Sequence, residues 1–275
     1  MSALPADSGG VPLPSQLDYE RFGDFLRAQV GIDLQQYKRR QMERRIRSFA
    51  LRRGITNLDD YQPVVRGDAD ELDALLDRIT INVSQLFRNP EQWDRLAADI
   101  VPDLVATGGG RIRAWSAGCS FGAEAFSLAA TVRSTAPRAQ LSIHASDIDR
   151  RILAAAGRGQ FTEEDARTAP PELLREHFEQ NADGWRARPT LTSAVRFAHE
   201  DLLNTRPLAG SFDLVLCRNV VIYFTPEARS AVHEMLAHSV RPGGYLVIGS
   251  TERIAQPLDE LGLEQAHPFV FRKRA

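Results

Sequence analysis

From Ile112 onward the chain alternates short apolar runs with helical patterns, and this alternation restricts the segment to a parallel α/β sheet with crossover helices. The runs Ile112–Ser116, Leu141–Ser146, Val195–Ala198, Phe212–Cys217, Tyr245–Ile248 and Phe269–Phe271 read as strands. Helices fit between them at about 122–134, 148–156 and 226–239. The last starts with Thr225 as cap and Pro226 at the first helical position. Between the second and third strands lie about forty residues more than a plain crossover needs. There Asp183-Gly184 separates residues 177–181 from 185–188, a hairpin signal that predicts a small antiparallel β insertion over about 158–194.

The first ninety residues read as helices alone. Phe22, Phe25, Leu26 and Val30 repeat at helical spacing up to Gly31, and Met42, Ile46, Phe49 and Ala50 repeat it up to Gly54. Leu72, Leu75, Leu76 and Ile79 mark a third helix. A fourth begins at Asn89-Pro90, with Asn89 as cap and Gln92 at the capping-box position, and ends at Gly108-Gly109-Gly110. The expected organisation is a disordered tail over 1–15, a helical domain over 16–90, a linker helix and glycine linker over 91–110, and the α/β domain over 111–275.

Bulk charge is uninformative: 34 Lys+Arg against 36 Asp+Glu leave -2, which predicts neither a nucleic-acid binder nor an acidic solvating chain. Cys119 and Cys217 lie far apart in apolar contexts, which excludes a disulfide framework or zinc module and fits a reducing cytoplasm. The N-terminus has neither a basic region nor an apolar core of an export signal, and no run of about 18 apolar residues occurs. A cytoplasmic chain without membrane insertion is expected.

Three places could carry chemistry. The first strand runs into Ala117-Gly118-Cys119-Ser120-Phe121-Gly122 and a helix, the βα turn where a doubly wound sheet holds a nucleotide-like ligand. It is not GxGxxG, so a dinucleotide is disfavoured, and alone it fits a plain tight turn equally well. Asp147 closes the second strand, where a carboxylate can accept both ribose hydroxyls or simply cap the next helix. Glu124, in the first turn after the glycines, either favours the helix dipole or holds a ligand's ammonium group. Finally, FDLVLCRNVVIYF (212–224) interrupts an apolar strand with Arg218-Asn219, placing polar groups in the crevice at the strand's C-terminal edge.

In order, NVSQLFR (82–88), WSAGCSFGAEAFSLA (115–129), ASDID (145–149), FDLVLCRNVVIYF (212–224) and GGYLVIGSTE (243–252) resemble the CheR family of chemotaxis receptor methyltransferases, over nearly the whole chain. The resemblance implies a small all-helical N-terminal domain, then a class I, Rossmann-like S-adenosylmethionine-dependent methyltransferase domain with a β insertion. It implies methyl transfer to glutamate side chains of chemoreceptors, with S-adenosylhomocysteine as product and no metal. Asn82, Ser84 and Arg88 match the family's N-x-T-x-F-F-R stretch; Gly118, Glu124 and Asp147 match cofactor positions; and Asp201-Leu202 match the segment on the adenine side. Arg218-Asn219 match a cofactor-contacting pair, and Tyr223 the tyrosine near the transferring methyl. Arg88 and Tyr223 are therefore the catalytic candidates. Ser84 replaces Thr, Leu86 replaces Phe, and Gly-Ala-Glu-Ala-Phe replaces Gly-Glu-Glu-Pro-Tyr, changes that touch tightness or specificity more than the reaction.

Such a reaction needs no general base, because a glutamate with pKa about 4.3 is already anionic at neutral pH. The six histidines are scattered without ligand spacing. Residues 36–53 concentrate eight basic side chains against Glu43 alone. That is ordinarily a solvated face, but an acidic receptor helix as substrate makes Arg40, Arg44, Arg45 and Arg47 docking candidates. The β insertion resembles the subdomain that in some members grips a receptor's C-terminal tether peptide. A monomer is expected. The competing readings are a cofactor-binding sensor or scaffold without catalysis, and a methyltransferase acting on another carboxylate. No Asn-Pro-Pro-Tyr site or aromatic-interleaved basic surface supports nucleic acid, and the missing glycine fingerprint opposes a dehydrogenase.

Overall fold

A computed structural model describes residues 16–80, 82, 84–206 and 209–275. The expected tail over 1–15 lies outside them. The chain forms two compact units that divide between Ile79 and Thr80.

The first unit consists of α1 (Gln16–Val30), α2 (Arg39–Ala50), α3 (Leu58–Gly67) and α4 (Ala69–Thr80), the last residue of which belongs to the second unit. Gly31 and Gly54 end their helices in the left-handed region, as expected of terminating glycines. α3 is absent from the expected helices, because Pro63 sits inside it and hides the period. Asn57 caps that helix by accepting from the Asp59 amide at 2.9 Å. Phe22, Leu26, Met42, Ile46, Leu58 and Tyr61 are buried, and Phe22 stacks on Tyr61 at 5.8 Å. Asp18, 1% exposed, accepts from Arg47 at 2.7 and 2.9 Å and from the Leu58 amide at 3.0 Å. The Arg47 hydrogen bonds, working against burial, hold the Asp18 carboxyl below the usual range.

In the second unit, α5 (Pro90–Arg95) continues through a π-helical turn at Leu96–Ile100 into α6 (Val101–Thr107). β1 (Arg111–Ala117), α7 (Ala123–Thr135), β2 (Gln140–Asp147) and α8 (Arg150–Ala156) follow. The insertion contains β3 (Gln160–Phe161), α9 (Pro171–His177), β4 (Phe178–Asn181), β5 (Gly184–Ala187) and α10 (Pro189–Thr192). The chain closes with β6 (Val195–His199), β7 (Phe212–Cys217), α11 (Pro226–Ser239), β8 (Val240–Ile248), β9 (Leu263–His267) and β10 (Val270–Lys273).

The large sheet has the order β6-β2-β1-β7-β8-β10-β9, and β3-β5-β4 form the expected small antiparallel sheet. The large sheet is mixed rather than all parallel. β10 runs antiparallel to both β8 and β9, because it follows β9 through a turn too short for a crossover, with Phe269 at φ 63°. β9 was not foreseen: of its five residues only Leu263 is buried, so it carries no alternation.

The helix after Asn89 is no linker. It buries Trp93, Leu96, Ile100, Val101 and Leu104 in the core of the α/β unit, and the glycine triplet is merely the turn into β1. The capping box is also absent: Asn89 sits at φ 59° without a capping bond, and the Gln92 side chain turns inward. Among the described residues no helix is long and apolar enough to cross a membrane.

His233 on α11 is fully buried and neither ring nitrogen has a partner among the described residues. Burial, helped by the nearby Arg229 charge, pushes its pKa down to about 4. The folded state thus favours the neutral ring, and stability present above the unfolded value near 6.5 is lost as pH falls toward 4. Relative to wild type, His233→Leu should gain about 2 kcal/mol between pH 7 and pH 5, measured by urea unfolding at each pH.

Candidate active site

An open cavity of about 590 Å³, counted with its mouth, lies at the C-terminal edge of β1 and β7. It is lined by Asn82, Ser84 and Arg88 from the loop after α4, by Gly118 and Glu124 after β1, and by Arg218, Asn219 and Tyr223 after β7. These are eight of the eleven residues named for cofactor binding or catalysis. Thr80, Gln85, Cys119, Ser120 and Val220 complete the lining and were missed, since nothing in their residue types marks them out.

Gly118 makes the two strand-end turns fit together. Its φ is 75°, and a Cβ there would lie 2.5 Å from Val220 Cγ2. The glycine is thus required both by the left-handed backbone and by the close approach of the β7 turn.

Arg218, 8% exposed, is the electrostatic centre. Its Nε donates to Gln92 Oε1 at 2.7 Å, Nη1 to Glu124 Oε2 at 3.4 Å, and Nη2 to the Arg88 carbonyl and to Asn89 Oδ1 at 3.3 Å. The guanidinium also lies over the Trp93 ring at 5.2 Å. Glu124 accepts from Ser116 Oγ at 2.7 Å through its other oxygen. Burial pushes the Glu124 carboxyl up, an effect the Arg218 charge opposes, while burial lowers the Arg218 pKa. Gln92, expected to cap its own helix, instead bridges Arg218 and the Ile248 carbonyl at 3.0 Å.

The loop carrying Arg88 is fixed by its backbone. Leu86 N–H donates to the Asp165 carbonyl and Phe87 N–H to Ser127 Oγ, both at 2.8 Å, while Trp93 Nε1 donates to the Arg88 carbonyl at 2.9 Å. Phe87 and Asn89 are both left-handed. Arg88 itself is half-buried between them. Asn82 Nδ2 donates to Asp149 Oδ2 at 2.8 Å, and Ser120 Oγ donates to Asn82 Oδ1 at 3.3 Å.

Asp147, Asp201 and Leu202 do not line the cavity. Asp147 accepts from the Ser120 amide at 2.8 Å and the Asp149 amide at 3.0 Å, holding the β1 turn against β2. It does not cap the following helix; Asp149 does, accepting from Arg151 and Ile152. Burial raises the Asp147 pKa against the pull of the Asp149 and Ser120 amides. Asp201 accepts from the Leu203 amide at 2.9 Å and from Asn204, closing its own turn, and Leu202 is buried.

The docking residues separate into two kinds. Arg40 and Arg44 are exposed, and neither shows an ion pair among the described residues. Arg45 is half-buried and reaches the Arg78 carbonyl at 3.4 Å. Arg47 is removed from the docking set: it clamps Asp18 and Glu43 at 2.7 Å each with its side chain 17% exposed, because buried Asp18 needs a charge partner.

Residues 17–80 match the model of the "CheR methyltransferase, all-alpha domain" and residues 82–269 that of the "CheR methyltransferase, SAM binding domain". The chain belongs to the CheR methyltransferase family. It is accordingly an S-adenosylmethionine-dependent methyltransferase, as the resemblance implied. The chemotaxis protein methyltransferase of Listeria innocua is 36% identical over 256 residues, covering 93% of this chain and 97% of the relative. Chemotaxis protein methyltransferase 1 of Pseudomonas aeruginosa is 31% identical over 265 residues, covering 92% and 96%. The chemotaxis protein methyltransferase of Vibrio parahaemolyticus is 32% identical over 268 residues, covering 94% and 97%.

Removing Arg218 leaves the buried Glu124 carboxylate with the Ser116 hydroxyl but no cation beside it. Arg218→Met should therefore destabilise the protein by about 3–5 kcal/mol, with part of that recovered in the Arg218→Met/Glu124→Gln double variant. Urea unfolding of the four proteins in this cycle measures the coupling.

Proposed function

We propose that this chain transfers a methyl group from S-adenosylmethionine to glutamate side chains of chemoreceptors, forming γ-glutamyl methyl esters and S-adenosylhomocysteine during adaptation in chemotaxis, and that it does so as a cytoplasmic monomer without a metal. The observation that carries this reading is the gathering of Arg88, Glu124, Asn219 and Tyr223 around one cavity within the region matched to the cofactor-binding domain. The relatives' names point to chemotaxis.

The residues fit the cofactor. The Gly118 turn leaves no side chain between backbone and cavity, and the Glu124 carboxylate supplies an acceptor for an ammonium group. Asp147 holds the β1 turn in place through the Ser120 amide, which sets the backbone that faces the cavity. When bound, S-adenosylmethionine supplies an electrophilic methyl on a cationic sulfur. The protein then has to align an already anionic glutamate with that methyl and keep water away, a proximity effect worth up to roughly 7–11 kcal/mol. Arg88 is suited to steer the incoming carboxylate, and Tyr223 to set the geometry where the methyl leaves. A cation bonded closely to the attacking oxygen would blunt it, so Arg88 positions more than it activates.

Incubation with labelled S-adenosylmethionine and receptor-containing membranes should give label that base releases, as an ester requires. Cofactor binding without transfer would favour a sensor, and base-stable label another acceptor. Arg88→Ala should cut turnover by roughly a hundredfold; near-normal turnover removes it from the reaction. The exposed Arg40 and Arg44 form the docking face, so replacing both with Glu should raise the KM for receptor several-fold, leave that for S-adenosylmethionine unchanged and weaken the salt dependence.

A further inference from the structure

The segment GGYLVIGSTE ends in a buried acid to which the reaction assigns nothing. Glu252 is 3% exposed. Its Oε2 accepts from the Gly249 amide at 2.7 Å and the Asn219 amide at 3.0 Å, and burial pushes the carboxyl up against the pull of these amides and of those of Val220 and Val221. Oε1 is buried without a partner among the described residues. Cys217 and Ile248 are in register on β7 and β8, which brings the two strand-end turns side by side.

That turn after β7 is one the backbone would not choose unaided. Asn219 sits at φ 62°, a left-handed conformation that costs on the order of 1 kcal/mol or more for a residue other than glycine. It leads directly into the short helical turn Val221–Tyr223, so Asn219, Val220 and Tyr223 reach the cavity from one rigid hook. Gly249 is cut to fit the same place. A Cβ there would lie 2.7 Å from Glu252 Oε2, 2.9 Å from the Asn219 nitrogen and 3.1 Å from Asn219 Nδ2.

We propose that Glu252 is a positioning residue: its carboxylate gathers the amides of the turn after β7 and thereby holds Asn219 and Tyr223 at the cavity, with Gly249 kept bare to admit it. The hold is geometric. Glu252→Gln retains an oxygen with two lone pairs for the Asn219 and Gly249 amides, whereas Glu252→Asp retains the charge and withdraws the acceptor by about one bond length.

The inference rests on the cofactor reading of Asn219 and Tyr223, and three measurements on the full chain keep the two apart: kcat and KM with S-adenosylmethionine and receptor, the affinity for S-adenosylhomocysteine by calorimetry, and the amide proton resonances of Asn219 and Gly249. Glu252→Asp should lower kcat by roughly tenfold to a hundredfold at unchanged receptor KM and weaken S-adenosylhomocysteine about tenfold. It should also move both amide resonances upfield, as hydrogen bonds to a charged acceptor are lost. Glu252→Gln should stay within about threefold of wild type in kcat and affinity. Gly249→Ala should reproduce the Glu252→Asp loss. The proposal is overturned if Glu252→Asp matches wild type in kcat and in both resonances, or if Glu252→Gln is the more damaged of the two, since charge rather than geometry would then be the contribution. An Asn219→Ala variant with undiminished S-adenosylhomocysteine affinity would instead overturn the cofactor reading of that turn, while the two resonances would still decide whether Glu252 holds it.

Discussion

The guanidinium of Arg218 joins segments that the chain keeps far apart. Glu124 lies 94 residues before it, Gln92 126 and Arg88 130. Burying that cation is unfavourable by itself, and Glu124, the Arg88 carbonyl and the Gln92 and Asn89 side chains together make it tolerable. One consequence is that the loop bearing Arg88, the helix after the β1 turn and the end of β7 cannot move independently. A site that aligns two reactants without acid–base chemistry needs that rigidity.

Around this centre the polar groups divide their work between holding the protein and facing the cavity. Asn82 spends its amide on Asp149, Asp147 spends its oxygens on the Ser120 and Asp149 amides, and Glu252 gathers the amides of the turn after β7. Residues that a ligand-centred view would count as contacts thus also act as struts. Left-handed Ser120 and Asn219 mark two turns at the cavity where the backbone leaves its preferred conformations, and each is held by a carboxylate accepting its own amide.

The same division appears in the helical unit. Eight basic residues within eighteen positions look like one surface, yet Arg47 belongs to the interior with Asp18, and Arg52 and Arg53 both reach Glu71. Arg40 and Arg44 are exposed without an ion pair among the described residues. Composition counts charges without regard to direction, and only the helix packing tells which of them face water.

The strands of the sheet's centre, the β insertion and the Thr225 cap were legible because each carries a local signal: an apolar run of strand length, an Asp-Gly pair, a capping residue before proline. α3, β9 and the fate of the helix after Asn89 were not, for a proline broke one pattern, an exposed edge strand had none, and three glycines looked like a linker where the core had already begun. Ordered motifs along the chain determined the family and most of the cavity's lining, since they record residue types the chemistry requires. The tertiary structure alone decided that Arg218 grips four groups from two distant segments, that Gln92 turns away from its helix end, that Arg47 is an internal clamp and that Glu252 lies under Asn219. These facts depend on hydrogen-bond partners separated by tens of residues, and no local pattern encodes which distant group a buried charge will meet.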